Sequence, residues 1–506
     1  MSFEPKCEEI VIKSLKQISS DENANVIITL GEDSKVKLVS TSVFSTVEKV
    51  VPSTKSAQIE LRIKAEAIVK NQNGEYECLK NENVMSVLVV NNYLDINSPV
   101  FAVSKVKRIN SQTSGNNINV ETVIGLSIYS VFEEKQACVV DVGVENQKII
   151  TATLSDIVAN STQEFNLESE LEQPQGVKKI LTYESDVILQ NVEAGNDLIT
   201  LVGSLNTNLV YLTDDEVPKL KNQFFSQSFS HELLYSNLTV NDKVWTILEL
   251  NQTKLELEGE LNSAKGTILL SANLMANVLV QKDELKPIVI DAFCPDYYLN
   301  MTSCAIENPQ LPSILILSDR IDGSVSLSDD SPRIDRILCV TESNVDVEST
   351  EAIEQGVIVK GKLSCNIVFT LDDEECSVNS CFAVIPFENR IKCDIEHNVT
   401  VVGKVKGVDA RNKRAKEIDI IADVEFCISS SSSSTVNMIS NISLGEKRKN
   451  TDCAFKIYFV DSAEDLWALS KKLGVSSQVL SEQNPELEFP IIEPKQIVVY
   501  QERVIS

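Results

Sequence analysis

The chain has 506 residues, 43% of them hydrophobic, and carries a formal net charge of −28. This length and composition predict three or four domains with apolar cores rather than a disordered chain. The acidic balance argues against nucleic acid as a partner, because nucleic-acid binding requires a basic face, and it disfavours anionic membrane surfaces.

Neither export nor membrane insertion is predicted. The sequence lacks a basic head followed by an apolar stretch at its start, and no apolar run reaches the roughly 18 residues of a membrane span. We therefore expect a cytosolic protein without membrane insertion. The twelve Cys, which run from Cys7 to Cys453, lack the close spacing of zinc ligands and predict free thiols.

Catalytic motifs are absent from the sequence. The chain has only two His, His231 and His397. It contains no G-x-S-x-G elbow, no phosphate-binding G-x-x-x-x-G-K-[ST] loop and no G-x-G-x-x-G fingerprint. The sequence therefore predicts that the protein is not an enzyme and holds neither a metal nor a cofactor.

Short alternating or β-branched runs fill the chain as far as residue 428, and this pattern is typical of strands. Examples in chain order are "NVIITL" (25–30), "INVETVIGLSIYSV" (118–131), "TKLELEGEL" (253–261) and "EIDIIADVEFCI" (417–428). Long helical stripes are scarce. The predicted fold class is mainly β and multidomain.

An internal repeat lies within this region. "LVGSLNTNLVYLTDDE" (201–216) aligns with "VKGKLSCNIVFTLDDE" (359–374), and Gly203 then matches Gly361. In the same register Phe229 matches Phe387. The repeat predicts two copies of one β domain, which we place at 151–310 and 311–428.

Residues 1–150 are predicted to hold a third, diverged copy. The segment 59–79 reads as a strand, an Asn-Gly turn and a second strand. The segment 100–131 has the same alternating pattern as 399–428, with a polar loop between two strands. After these copies a run of six Ser begins at residue 429, and we predict an unstructured, Ser-rich linker over 429–450.

The last segment, 451–506, predicts a small α+β domain of βααβ order. "FKIYFV" (455–460) and "QIVVY" (496–500) read as strands, and a second helix fits 477–483. One helical stripe defines the first helix, which is expected to end at Gly474; its members are Leu466, Leu469 and Leu473. Trp467 lies about 130° from the centre of this stripe and is therefore predicted to face away from the domain's core.

This C-terminal pattern resembles the LysM family. That family's order is Y-x-V, L-W-x-I, G-V, a Leu, an Asn and a closing apolar strand, and the matching residues here are Tyr458, Val460, Leu466, Trp467, Leu469, Gly474, Val475, Leu480, Asn484 and Gln496–Val499. The internal repeats resemble the SPOCS domain of clostridial spore proteins. Tandem SPOCS domains followed by a LysM domain are similar to the SipL family of spore coat morphogenetic proteins.

The resemblance implies a non-enzymatic adaptor in spore coat assembly. It would act in the mother-cell cytoplasm at the forespore surface, where its partners would be a coat ATPase resembling SpoIVA and other coat proteins. The LysM-like domain is the expected docking module, with Trp467 as its anchor, because Trp is enriched at interface hot spots. Its predicted partner-binding residues are Tyr458, Phe459, Leu466 and Trp467.

A glycan-binding protein that anchors the coat to cortex peptidoglycan is the alternative. The expected glycan loop is formed by Ala463, Glu464 and Asp465 together with Asn484 and Pro485. The LysM family has G-D-T where this chain has Ala463-Glu464-Asp465. Since two carboxylates stand where the family offers a hydroxyl donor, the sequence favours a protein partner over a sugar.

Overall fold

The computed structural model describes residues 3–31, 36–143, 146–258, 266–328, 331–373, 377–394, 399–448, 455–460 and 464–500. Within these ranges the chain is almost entirely strand, with two short helices near its end. The predicted mainly β fold with a C-terminal βααβ segment is confirmed. None of the helices in the described ranges is long and apolar enough to cross a membrane.

Strand pairing groups the first six strands into one unit, which we call unit 1. Its strands are β1 (Lys6–Thr29), β2 (Lys37–Ser53), β3 (Ser56–Lys70), β4 (Tyr76–Val90), β5 (Val100–Ser114) and β6 (Asn117–Asp141). The meander β2-β3-β4 forms one sheet, and β1-β6-β5 forms the other. The first strand of the unit therefore pairs with its last strand and closes it.

Unit 2 repeats this topology. Its strands are β7 (Gln147–Glu172), β8 (Val177–Ala194), β9 (Leu198–Thr213), β10 (Leu220–Leu234), β11 (Lys243–Glu258) and β12 (Thr267–Ala292). The meander is β8-β9-β10, and the closing sheet has the order β11-β12-β7. The strand order is thus the same as in unit 1.

Unit 3 has the same plan, but each long closing strand is split into two. Its strands are β13 (Tyr297–Pro309), β14 (Ser313–Ser326), β15 (Ile334–Ile353), β16 (Gly356–Leu371), β17 (Val378–Ile391), β18 (Val399–Arg414), β19 (Glu417–Ser430) and β20 (Ser433–Lys447). The meander is β15-β16-β17, while β14-β19-β18 and β13-β20 form the closing sheets. Pro309 and Pro312 lie at the split, where a proline cannot donate a ladder hydrogen bond.

The internal repeat found in the sequence is present in the structure. Gly203 on β9 pairs with Phe229 on β10, and Gly361 on β16 pairs with Phe387 on β17. A Cβ atom on Gly203 would lie 2.4 Å from a backbone oxygen of β8, and one on Gly361 would lie 2.2 Å from a backbone oxygen of β15. Both Gly are therefore required by the close approach of a neighbouring strand.

The third copy is also recognisable by its register. The hairpin β5-β6 has a bulge between Val106 and Arg108, and β18-β19 has one between Val405 and Gly407. Counted along the partner strand, each bulge stands seven residues from its hairpin turn: Ile124 from Asn117 in unit 1, and Val424 from Glu417 in unit 3. The alternating pattern that linked 100–131 to 399–428 therefore reports a shared fold.

The three meanders meet in one apolar cluster. Structurally equivalent positions of the units contribute to it: Ile68, Val210 and Val368 from the central strands, and Tyr76, Leu220 and Val378 from the third strands. The closing strands of all three units meet in a second cluster, which contains Ile12, Leu154, Ile288, Ile306 and Met438. These two shared cores join the three units.

The prediction of an unstructured linker over 429–450 was wrong for residues 429–448, while 449 and 450 lie outside the described residues. Residues 433–447 form β20, which pairs in antiparallel register with β13. Its apolar side chains face the closing strands of the other units; Met438 and Ile439 are 1% exposed and Ile442 is 4% exposed. Burial of these residues offsets the low strand propensity of the Ser run. The predicted domain break at 310/311 also falls within this closing ribbon.

The C-terminal unit consists of β21 (Phe455–Val460), α1 (Leu466–Leu473), α2 (Ser477–Gln483) and β22 (Lys495–Tyr500). β21 pairs with β22, and the helices cover one face of this ribbon. Its core is small and closed; it contains Val460, Leu469, Leu480, Ile491, Ile497 and Val499. Leu466 and Leu473 pack against that core and are only partly buried.

Replacing Met438 with Asp should destabilise the protein by about 3 kcal/mol or more, because a carboxylate would lose water in an apolar site and the packing there would be lost. Thermal unfolding of the full chain measures the loss. Leu444→Asp on the same strand is the control, since Leu444 is 41% exposed. Equal melting temperatures for the two variants would contradict a structural role for β20.

Candidate functional site

The first helix of the C-terminal unit has well-defined ends. Asp465 is its N-cap, and the Asp465 Oδ1 atom accepts a 2.6 Å hydrogen bond from the Ala468 backbone N–H. Gly474 ends the helix in the left-handed region, at φ 69°, and its N–H donates to the Ser470 carbonyl. Because Leu469 is fully buried below the helix, Trp467 faces the opposite way.

Trp467 contacts the body of its own chain. Its indole Nε1 donates a 2.7 Å hydrogen bond to Asp291 Oδ2 at the end of β12. Its ring meets the Phe293 ring edge-on, at a centroid distance of 5.1 Å. The aromatic side chain that the sequence left without a contact therefore fixes the C-terminal unit to unit 2.

Asp291 accepts hydrogen bonds from two side chains of α1 at this contact. Lys471, one turn after Trp467, places its Nζ 2.5 Å from the other carboxylate oxygen, Asp291 Oδ1. Burial opposes ionisation of Asp291, but the hydrogen bonds from Lys471 and Trp467 outweigh it and hold the pKa of Asp291 below its usual value. The carboxylate therefore stays ionised at neutral pH and binds two donors of α1.

Arg448 makes a second contact between the body and α1. It follows the end of β20, and its Nη2 donates a 3.2 Å hydrogen bond to the Lys471 carbonyl near the C-terminus of the helix. Its guanidinium carbon lies 4.7 Å from the centroid of the Tyr298 ring. A cation is favourable at this end of a helix. A Cβ on Gly474 would approach Arg448 to 2.8 Å, so the glycine also leaves space for this side chain.

The four predicted partner-binding residues do not form one surface. Tyr458 and Leu466 pack against the small core of the C-terminal unit. Trp467 faces unit 2, whereas Phe459 is 68% exposed on the opposite side of β21. Alternation along the strand separates Tyr458 from Phe459. Their assignment to a partner interface stays a prediction, and only Phe459 is freely accessible among the four.

An exposed apolar face surrounds Phe459. Phe455 (54% exposed), Ile457 (46%) and Phe459 (68%) point outward from β21. Tyr500, which pairs with Phe455 across the ribbon, is 58% exposed. We call this set, Phe455, Ile457, Phe459 and Tyr500, the outer face. Clustered exposed apolar residues of this kind mark interaction surfaces.

In the expected glycan loop, the side chains of Glu464 and Asp465 are already engaged within the unit. Glu464 pairs with Lys472 at 3.0 Å, and its carbonyl accepts a hydrogen bond from the Ile491 N–H. Asp465 caps α1. Ala463 lies outside the described residues, and Pro485 is exposed after α2.

Asn484 is bound to the unit's own backbone. Its Nδ2 donates to the Leu480 and Val498 carbonyls at 2.9 and 2.8 Å, and its Oδ1 accepts from the Val498 N–H at 2.9 Å. The residue is 9% exposed. It therefore joins α2 to β22, and both of its amide N–H donors are used within the unit.

No sequence pattern pointed to the partners of Trp467. Asp291 is 176 residues away in the chain, and a single acidic residue at a strand end has no distinctive pattern. The exposed outer face could have been read from the alternation in "FKIYFV", because a two-stranded ribbon covered on one side must expose its other side. No group of three or more His, Cys, Asp or Glu in the described ranges is arranged to hold a metal ion.

Comparison with known families gives one match. Residues 333–412, which include the meander of unit 3 and the start of its hairpin, match the SPOCS domain of SipL. Such a domain implies a spore coat assembly protein, from a family not known as catalytic. No curated protein and no solved structure matches the chain.

Replacing Asp291 with Ala should loosen the C-terminal unit from unit 2. The change removes the hydrogen bonds that Trp467 and Lys471 donate to the Asp291 carboxylate. At this partly exposed site the two bonds together contribute about 1–3 kcal/mol. In a Trp245→Phe background Trp467 is the single Trp, and its fluorescence reports on this contact. When Asp291→Ala loosens the contact, the emission of Trp467 should shift to longer wavelength. Glu170→Ala is the control, since Glu170 is exposed elsewhere on the same sheet. An unchanged emission spectrum for Asp291→Ala would contradict the contact.

The same contact should depend on pH in a defined direction. The hydrogen bonds from Lys471 and Trp467 depress the folded-state pKa of Asp291 below its usual value, so its stabilisation is present at neutral pH and is lost as pH falls through the folded pKa. Trp467 emission should therefore stay constant from pH 7 to below pH 4 and change only in stronger acid. Asp291→Asn should lack this acid step, and a step near neutral pH would contradict the assignment.

Proposed function

We propose that this protein is a non-enzymatic spore coat morphogenetic adaptor that binds a coat ATPase resembling SpoIVA through its C-terminal LysM-like unit. The SPOCS domain at 333–412 supports the role in coat assembly. We further propose that units 1 and 2 are diverged copies of the same domain, since they share its strand order and register. Other coat proteins are further proposed partners.

The observation that favours docking through the C-terminal unit is its outer face. Three outward side chains of one strand and an aromatic residue of its neighbour form a contiguous apolar surface, while the opposite side of the ribbon is covered by the unit's own helices. β21 pairs only with β22 in the described ranges, so its other edge also offers backbone hydrogen-bonding groups. We infer that the partner binds at this face and edge.

Docking of Trp467 on Asp291 complements this role. This contact places α1 between unit 2 and the ribbon β21-β22. The outer face of β21 therefore points away from unit 2. The three units supply a rigid β scaffold, and the small unit supplies the partner surface. Placement at the forespore surface in the mother-cell cytoplasm follows from the proposed partner.

Peptidoglycan binding is less favoured as a function for this unit. The side chains of Glu464, Asp465 and Asn484, which the sequence offered for a glycan loop, form bonds within the unit. A sugar would therefore have to replace these contacts. Cortex anchoring remains the competing outcome of the binding experiment.

Replacing Phe459 with Asp should abolish binding to the coat ATPase while the protein remains folded. Phe459 is 68% exposed, so the fold does not depend on it, whereas a hot-spot residue typically contributes about 2–4 kcal/mol, or roughly a thirtyfold to thousandfold change in affinity. The Kd of the purified full chains measures the change. Val479→Asp is the matched control, because Val479 is 38% exposed on α2.

Two results would overturn the proposed docking mode. Equal affinity of the Phe459→Asp variant and the parent would place the partner elsewhere. Competition by excess chitin or peptidoglycan fragments would favour the glycan-binding alternative. The expected result is loss of binding in Phe459→Asp, parent-like binding in Val479→Asp, and no effect of either competitor.

A further inference from the structure

The three units surround a cavity of about 1010 Å³. All three contribute to its wall, and residues at the inner edges of their meanders and hairpins face it. The exposed side chains of Arg62 and Glu82 also line the cavity, so solvent reaches it from the side of unit 1. Neither the SPOCS match nor the C-terminal unit assigns a role to this space.

At the junction between units 1 and 3 a lysine of one unit binds the backbone of the other. Lys105 of unit 1 donates from Nζ to the Val345 carbonyl at 2.7 Å and to the Gly403 carbonyl at 3.0 Å. The ammonium group thus lies on backbone oxygens where the two units meet.

The junction between units 3 and 2 repeats this arrangement. Lys404 of unit 3 donates to the Val187 carbonyl at 2.6 Å and to Asp186 Oδ1 at 2.7 Å. Lys105 and Lys404 hold the same place in their hairpins, one residue before Val106 and Val405, at which the bulges begin. An ammonium group therefore joins two of the three junctions in the same way.

The acceptor strands are also equivalent. Val345 of β15 pairs with Leu363 of β16. Leu363 lies seven positions before Thr370, the last residue of β16 that pairs with β17. Val187 pairs with Leu205, seven positions before the equivalent Leu212. In unit 1 the last residue of β3 that pairs with β4 is Lys70. Seven positions before Lys70 is Ile63, which pairs with Ser45 of β2. Ser45 is thus the acceptor position of the third junction.

At the third junction, between units 2 and 1, the lysine is replaced by a carboxylate. The bulge of β11 begins at Leu250, and the residue before it is Glu249. Glu249 and Ser45 both line the cavity. The Glu249 Oε1 and Ser45 Oγ atoms are buried without a hydrogen-bonding partner among the described residues.

Two carboxylates of the cavity wall have cations beside them, whereas Glu184 and Glu342, like Glu249, have no ion pair in the described ranges. Asp186 pairs with Lys404, and Glu66 pairs with Lys64 and Lys80. Glu249 has no ion pair in the described ranges, and burial raises its pKa to about 8. An isolated carboxyl of this kind gains free energy when a cation enters its site.

Further unpartnered polar groups line the same cavity as Glu249. Asn206 is 6% exposed and Thr246 is 2% exposed, and both line the cavity. Neither the amide atoms of Asn206 nor the hydroxyl of Thr246 has a hydrogen-bonding partner in the described part of the chain. Phe44 and Ile247 add apolar surface to the lining of the cavity. A ligand with polar ends and an apolar middle matches this lining.

We propose that the junction of units 1 and 2 binds a small organic cation with a primary ammonium group, which takes the place that the Lys105 and Lys404 ammonium groups hold at the other two junctions. The ammonium donates to the Glu249 carboxylate and towards the backbone at Ser45. Its alkyl chain packs on Phe44 and Ile247, and a second amine, where present, meets the Asn206 amide.

Titration of the full chain with 1,4-diaminobutane in a calorimeter tests this site. The parent should bind it saturably at an unchanged background of sodium chloride. Glu249→Gln keeps the size of the side chain but removes its charge, and it should weaken binding by about tenfold to a hundredfold, as expected for a hydrogen bond to a charged group. Absence of saturable binding by the parent, or equal affinity in Glu249→Gln, would overturn the proposal.

A second variant supplies the ammonium covalently. Glu249→Lys should restore the pattern of the other two junctions, so it should raise the melting temperature and abolish diamine binding. Glu168→Lys, at an exposed position of the same unit, controls for the change in net charge. Diamine binding by Glu249→Lys at parent affinity would contradict the site. If Glu249→Lys does not fold, the comparison between parent and Glu249→Gln decides the question.

Discussion

Pairing between the first and last strand of each unit is the constraint on which the architecture depends. β1 pairs with β6 over the full length from Lys6 to Thr29, although more than eighty residues separate the two strands in sequence. β7 with β12, and the ribbon β13-β20 with β14-β19, repeat this closure. Each meander is then held over its closing sheet, and the ends of the closing strands extend to meet those of the other units. Loop closure of this length is costly, and burial of the long strands offsets it.

The threefold repetition explains why partly polar units can share one interior. A meander of three strands cannot bury both of its faces, so equivalent apolar residues of the three meanders cover one another. The junctions between units carry polar groups instead, and lysine ammonium groups satisfy edge-strand carbonyls at two of them. The third junction departs from this rule at Glu249. Deviations of one copy from the rule that the others follow are where specific function is expected in a repeat structure.

The C-terminal unit shows how one residue type acquires a different role from its surroundings. Trp467 is a residue type that often anchors interfaces, but here Asp291 at the end of β12 accepts its N–H and Phe293, just after β12, contacts its ring. The exposed apolar surface is instead on β21. The small domain thus contacts unit 2 through Trp467 while Phe459 on its other side stays exposed.

The sequence by itself determined the local elements and the repeat. Alternation fixed the strands, the leucine stripe and Gly474 fixed α1, and the Gly203 and Gly361 match predicted a shared register, because these signals depend on neighbours within a few residues. The tertiary structure alone decided that 433–447 is a strand, since its partner β13 begins more than a hundred residues earlier. It also decided where Trp467 points and that Glu249 stands where the other units have lysine. Contacts between distant segments leave no local pattern, so only the assembled fold brings those residues together.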